Sequence, residues 1–188
     1  MLDGKRIAIL VEEGFEDLEL IEPLRAMKAA EARVVLVCAG HAQSYQSKSG
    51  KRTITAEMTA DKVKAEDFDA IIIPGVLSLD GMRFHSSVIE LVKKMHGLNK
   101  VIAAISYGPK LLISADIVRG RRLTSSLLIA EALKNAGAYW VDESIVQDGN
   151  IITSRKAADL PVFDWTIVEA VRANGQFPEI LRLKEGDK

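Results

Sequence analysis

Four short apolar runs, each rich in branched side chains and each separated from the next by helical or polar sequence, constrain this chain most. They are "RIAILV" (6–11), "RVVLVCAG" (33–40), "DAIIIPG" (69–75) and "KVIAAIS" (100–106). A strand covered on one face alternates apolar with polar residues, whereas a strand covered on both faces reads as an unbroken apolar run. These four read as the second kind. Parallel strands need a crossover that carries the chain back to the same end of the sheet, and a helix supplies it with right-handed geometry. The expected fold is therefore α/β, a flavodoxin-like three-layer sandwich with a mostly parallel central sheet.

The connecting segments support that reading. After the first run, "EEGFEDLELIEPLRAMKAAEA" places Leu20, Leu24 and Met27 at helical spacing, with Pro23 at a first turn or a kink. "SSVIELVKKM" carries an apolar stripe of Val88, Leu91, Val92 and Met95, with Ser87 and Glu90 spaced as a capping box. "KRTITAEM" reads as a short strand or hairpin arm, "RRLTSS" as a strand and "LLIAEALKNAG" as a helix stopped by Gly137. "WVDESIVQDGNIITSR" alternates around Asp148-Gly149-Asn150, a hairpin signal. A helix is expected over 161–174. No repeat or linker interrupts the pattern, so residues 1–188 are expected to form a single domain with a C-terminal tail from about residue 175.

Charge and cysteine content narrow the function. Lys and Arg number 25 against 26 Asp and Glu, a formal net charge of -1. Neither nucleic acid nor an anionic membrane is favoured as a partner by that balance; a small molecule or peptide is. The lone cysteine, Cys38, forms no intramolecular disulfide and builds no thiolate cluster. No apolar run approaches the ~20 residues of a membrane span. A cytoplasmic protein with no metal and no cofactor is the expectation.

In a sheet of this type ligands bind beyond the carboxyl ends of the strands, where connections diverge to opposite faces. That selects residues 12–19, 74–80 and 106–109. Ser106 ends an apolar strand at a sharp Ser-Tyr-Gly-Pro turn, a place from which a single side chain is delivered into a crevice. A hydroxyl becomes nucleophilic only beside a base and donors for the developing oxyanion. Histidine is the usual base, but a lone loop histidine such as His85 reads as solvated, and His41 and His96 are no better placed. The carboxylates Glu12, Glu13, Glu16, Asp17 and Glu19 follow the first strand, where one or two of them could face Ser106. Backbone amides at Gly75, Val76 and Tyr107 are candidate oxyanion donors. Cys38 reads as core. A nucleotide or flavin site is disfavoured, because "VEEGFED" presents carboxylates where a phosphate would need donors.

The blocks "EEGFEDLEL", "DAIIIPG", "AAISYGPKLLISADIVRGRRLTS", "KNAGAYWVDE" and "VQDGNIITSRKAADLPVF" together resemble the DJ-1/PfpI superfamily, in its intracellular-protease-like PfpI branch, over about residues 5–171. The resemblance implies a nucleophile elbow and assembly as a homo-oligomer, a dimer or hexamer. It also implies peptidase, glyoxalase III-like or deglycase chemistry. The family's elbow reads Ala-Ile-Cys-His-Gly-Pro, and "AISYGP" stands in its place, so Ser106 occupies the position of the reactive cysteine and Tyr107 that of its histidine. Val76 replaces the second glycine of the Pro-Gly-Gly turn, a residue that disfavours positive φ. Asp80 aligns with an acid that some members supply across a subunit interface. Glu16 and Glu19 match family glutamates beside the elbow. The reading is a divergent member that lacks the cysteine chemistry and acts as a small-ligand-binding or structural oligomer; the alternative is a serine-dependent hydrolase or lyase using Ser106.

Overall fold

A computed structural model describes residues 1–40, 43–76, 82, 83 and 85–174. The four apolar runs are the four central strands: β1 (Arg6–Leu10), β2 (Arg33–Cys38), β6 (Ala70–Ile73) and β7 (Val101–Ile105). The polar stretch between β2 and β6 holds β3 (Ser44–Gln46), β4 (Thr53–Thr55) and β5 (Met58–Thr59), of which β3 and β4 pair as an antiparallel hairpin. Beyond β7 come β8 (Arg122–Leu123), β9 (Tyr139–Trp140), β10 (Ile145–Asp148) and β11 (Ile151–Ser154). The main sheet has seven strands in the order β10-β11-β7-β6-β1-β2-β5, parallel except for the β10–β11 hairpin. Gly149 closes that hairpin at φ 59°.

The helices are α1 (Asp17–Ala29), α2 (Ser86–Gly97), α3 (Pro109–Ser114), α4 (Ala130–Asn135) and α5 (Leu160–Arg172). The path β1–α1–β2 steps one way along the sheet, and β6–α2–β7 steps the other way. With right-handed crossovers, α1 and α2 therefore cover opposite faces. Helix α5 packs beside α1 and over β7 and β11. The switch in direction falls between β1 and β6, and beyond the carboxyl ends of strands at such a switch is where sheets of this type bind ligands. Ile7, Ile9, Ile71, Ile72 and Ile102 are completely buried between the layers, which is why these strands carry no polar alternation.

Several local readings differ from the sequence expectation. Helix α2 begins at Ser86 with His85 in the N-cap position and no side-chain cap bond, so the Ser87–Glu90 capping box does not form. Of the two positions read for Pro23, the first turn is not the one taken, and the residue lies inside α1. "RRLTSS" is extended as a strand only at β8, which pairs with β9 outside the main sheet. "LLIAEALKNAG" starts as a 3-10 turn at Leu127–Ile129 before α4, with Gly137 at φ 91° past its end. The tail from about residue 175, His41 and Asp80 lie outside the described residues. Among the described residues, no helix is long and apolar enough to cross a membrane.

One polar group is conspicuous in the α1–α5 layer. Oδ1 of Asp164 is buried without a hydrogen-bond partner, and burial, with the nearby Glu22 charge, pushes this carboxyl up to about 7. A raised carboxyl favours the fold while protonated and disfavours it as pH rises from the unfolded value through the folded one. Asp164→Asn should raise stability by about 1–2 kcal/mol at about pH 8 and by little at about pH 4, as read from urea midpoints.

Candidate functional site

Ser106 follows β7 directly and sits at φ 60°, a left-handed conformation that costs a non-glycine residue about 1–2 kcal/mol. The surroundings enforce it. Its N–H donates to the Ser154 carbonyl at 3.0 Å, and its own carbonyl accepts from the Ser126 N–H at 3.0 Å. The Gly108 N–H then donates to the Ile105 carbonyl at 2.8 Å, and Pro109 opens α3. A strained residue held by several independent bonds is a geometry that points to function.

The acid that meets Ser106 is Glu19, in the first turn of α1 and only 6% exposed. Its Oε2 accepts from the Gly75 N–H at 3.0 Å, and the Ser106 hydroxyl lies close to the same carboxyl group and favours its ionised form. Both side chains crowd Gly75: a Cβ added there would overlap Oε2 of Glu19 and lie 2.8 Å from Cβ of Ser106. Glycine is required here by space. Burial first, and then the charge of Glu16, push Glu19 up to about 7, against the opposing pull of the Gly75 N–H, the Ser106 hydroxyl and Lys48. At neutral pH this carboxyl is thus available both as proton donor and as proton acceptor.

Glu16 occupies the N-cap position of α1, one helical turn before Glu19. Its Oε1 pairs with Nζ of Lys48 at 2.7 Å, and its N–H donates to the Gly75 carbonyl at 3.4 Å. Lys48 was not legible in the sequence, where "SKSG" looks like a solvated turn. It reaches the site because Phe15, fully buried, bridges to Ser47 on one side and to Val76 on the other. The Lys48 N–H donates to the Phe15 carbonyl at 2.9 Å. Hydrogen bonding and charge from Glu16 raise the ammonium above its ordinary value, with smaller contributions from Tyr107 and Glu19. Tyr107 is half-buried beside the elbow.

The acidic cluster after β1 divides. Glu13 accepts from the Gln46 N–H at 3.0 Å, Glu12 accepts from the Glu13 N–H at 2.9 Å, and Asp17 pairs with Arg52 at 3.7 Å, so these acids serve their own turn and the β3–β4 hairpin. Of the three candidate oxyanion positions, the Gly75 amide is engaged by Glu19. Val76 bridges to Phe15, and its φ lies outside the left-handed region. Of the described histidines, His85 is exposed at the start of α2, and His96 is lowered by burial, next to Arg121 and Asn150. Cys38 is buried, its Sγ donating to the Met58 carbonyl at 3.5 Å. Among the described residues, no group of three or more His, Cys, Asp or Glu side chains could hold a metal ion.

The chain matches the sequence model of the DJ-1/PfpI family over residues 5–170. It is 36% identical over 167 residues to a deglycase from Thermococcus kodakarensis, covering 89% of this chain and 99% of that protein. Against protein/nucleic acid deglycase 2 of Escherichia coli the identity is 35% over 173 residues, covering 92% and 99%. Among solved structures, the chain superposes with a TM-score of 0.88 and 34% identity on a two-domain protein from Anabaena variabilis. That protein contains DJ-1/ThiJ/PfpI-like and ferritin-like domains, and the match covers 96% of this chain and 52% of that one. Drosophila melanogaster DJ-1beta superposes with a TM-score of 0.83 at 26% identity, covering 92% and 91%.

Proposed function

The chain belongs to the DJ-1/PfpI family, and on that premise we propose that it binds a small carbonyl or hydroxylated compound at the elbow without the family's cysteine chemistry. The observation that carries this reading is the convergence of the Ser106 side chain and the buried Glu19 carboxyl on Gly75. A cysteine ionises near ~8.5 and gains thiolate character from its surroundings, whereas serine stays a neutral hydroxyl. The phenol of Tyr107 can donate a hydrogen bond but has no basic ring nitrogen to take up a proton as histidine does. Ser106 and Tyr107 then act as polar anchors, and Glu19 accepts from or donates to the bound molecule. Deglycase activity, named for several relatives, is in this reading absent in its thiol-dependent form. The protein is further proposed to be a cytoplasmic homo-oligomer, a dimer or hexamer.

A second reading is favoured by one observation, the buried Glu19 carboxyl close to the Ser106 hydroxyl, with burial pushing that carboxyl up to about 7. Here Glu19 removes the Ser106 proton as Oγ bonds to an acyl carbonyl carbon, then returns that proton to the leaving group. Water, deprotonated by Glu19, hydrolyses the acyl-serine, and Ser106 recovers its proton. Turnover of methylglyoxal and activated esters separates the two. The natural chain and Ser106→Ala should be indistinguishable, while Ser106→Cys with Tyr107→His should gain about 100-fold, the low end of what a positioned acid–base group contributes. Natural turnover that vanishes in Ser106→Ala would instead establish the serine-dependent reaction.

A further inference from the structure

We propose that Lys48 is a positioning residue of the elbow site, a cation delivered by the β3–β4 hairpin that pairs Glu16 and thereby leaves Glu19 to Ser106. The inference rests on the assignment of Ser106 and Glu19 as the ligand-binding pair.

The hairpin is not a loose loop that happens to carry a lysine. Its register against the first turn is fixed by the Gly14 N–H to the Gln46 carbonyl at 2.9 Å, by the Lys48 N–H to the Phe15 carbonyl at 2.9 Å, and by the Phe15–Ser47 bridge. The turn itself is closed by the Gly50 N–H to the Ser47 carbonyl at 2.8 Å, with Gly50 at φ 70°. Ser47 is buried, and its hydroxyl lies 3.1 Å from that of Ser49. Lys48 therefore starts from a fixed backbone point, so its half-exposed side chain spends little freedom in reaching Glu16.

Two carboxylates three residues apart on one helical turn repel each other. Glu16 and Glu19 have that spacing, and both turn toward Gly75: one through its N–H to the Gly75 carbonyl, the other through its carboxylate to the Gly75 N–H. The groups that face Glu19 are Glu16 from its own element, Lys48 from the hairpin, Gly75 from the turn after β6, and Ser106 from the elbow. Lys48 supplies the positive charge in that set. Without it Glu16 keeps an unbalanced charge, and Glu19 is driven toward its protonated form, which offers Ser106 a donor in place of an acceptor. Arginine at position 48 preserves the charge, so it preserves the state of Glu19.

The test is a carboxyl-carbon NMR titration of Glu19 in the full chain, in Lys48→Met and in Lys48→Arg, with amide spectra confirming the fold. Lys48→Met should raise the Glu19 midpoint by about half a pH unit or more, and Lys48→Arg should restore it. An unchanged or lowered midpoint in Lys48→Met overturns the proposal, and so does an equal rise in both variants. Because the titration uses no ligand, its failure is separate from a failure of the ligand-binding reading, which the Ser106 variants decide.

Discussion

Gly108→Ala is expected to lower the thermal midpoint by about 6–12 °C, although it adds a single methyl group. A Cβ on Gly108 would overlap the Ile73 carbonyl oxygen and lie 2.9 Å from the Ile105 carbonyl and 3.1 Å from the Ile105 nitrogen. All three atoms are backbone, at the ends of two strands that pair with each other in the sheet. No rotamer change relieves such contacts, so the cost falls at the upper end of overpacking, about 3 kcal/mol. For a chain of this size each kcal/mol moves the midpoint by about 2–4 °C. Gly97, within α2, has open space around its missing Cβ, and Gly97→Ala should be neutral or slightly stabilising. Calorimetry of the pair checks the argument. A Gly108→Ala midpoint within about 2 °C of the natural chain would mean that the elbow is not packed against β6 as described.

The same contrast explains what the sequence made legible. Ile71, Ile72 and Ile73 announce a doubly covered strand because burial on both faces leaves no polar position, and Asp148-Gly149-Asn150 announces a hairpin because its turn needs positive φ. Thr124 and Ser125 show the opposite case. Both are fully buried, yet they are held by bonds to distant parts of the chain, the Thr124 backbone N–H to Oγ1 of Thr153 and Trp140 Nε1–H to Oγ of Ser125. Polar burial of that kind leaves no periodicity to read. In the site, the elbow position of Ser106 and the neighbourhood of Glu16 and Glu19 were readable from strand ends and chain order. The division of the acids was not, because it depends on where α1 begins: Glu16 and Glu19 share a helical face, and Glu12 and Glu13 precede the helix. Lys48 was invisible for a different reason. Its place is set by the Phe15–Ser47 bridge between segments more than thirty residues apart in sequence, and nothing local in "SKSG" records that contact.

Glu19→Gln should make the protein more stable at about pH 8 by about 2 kcal/mol and change it little at about pH 4. The unfolded carboxyl ionises near 4.5 and the folded one at about 7. Between those values the folded chain binds a proton that the unfolded chain has released, so stability falls as pH rises through the window and stays low above it. The full linkage amounts to about 3 kcal/mol, and local relaxation reduces it. Glutamine keeps an oxygen to accept the Gly75 N–H and carries no charge, so it removes the loss while preserving the shape. Urea midpoints across that range would check this, and the natural slope that survives in Glu19→Gln should belong to Asp164, flattening when Asp164→Asn is added. A glutamine variant less stable by the same amount at every pH would mean that Glu19 is held by packing, with no buried charge to relieve. A gain confined to the alkaline side would mean that the fold carries an ionisable group against its own stability at the one place where that group meets Ser106. A stability cost located in a binding site is what a ligand-directed carboxyl incurs and a purely structural one has no cause to incur.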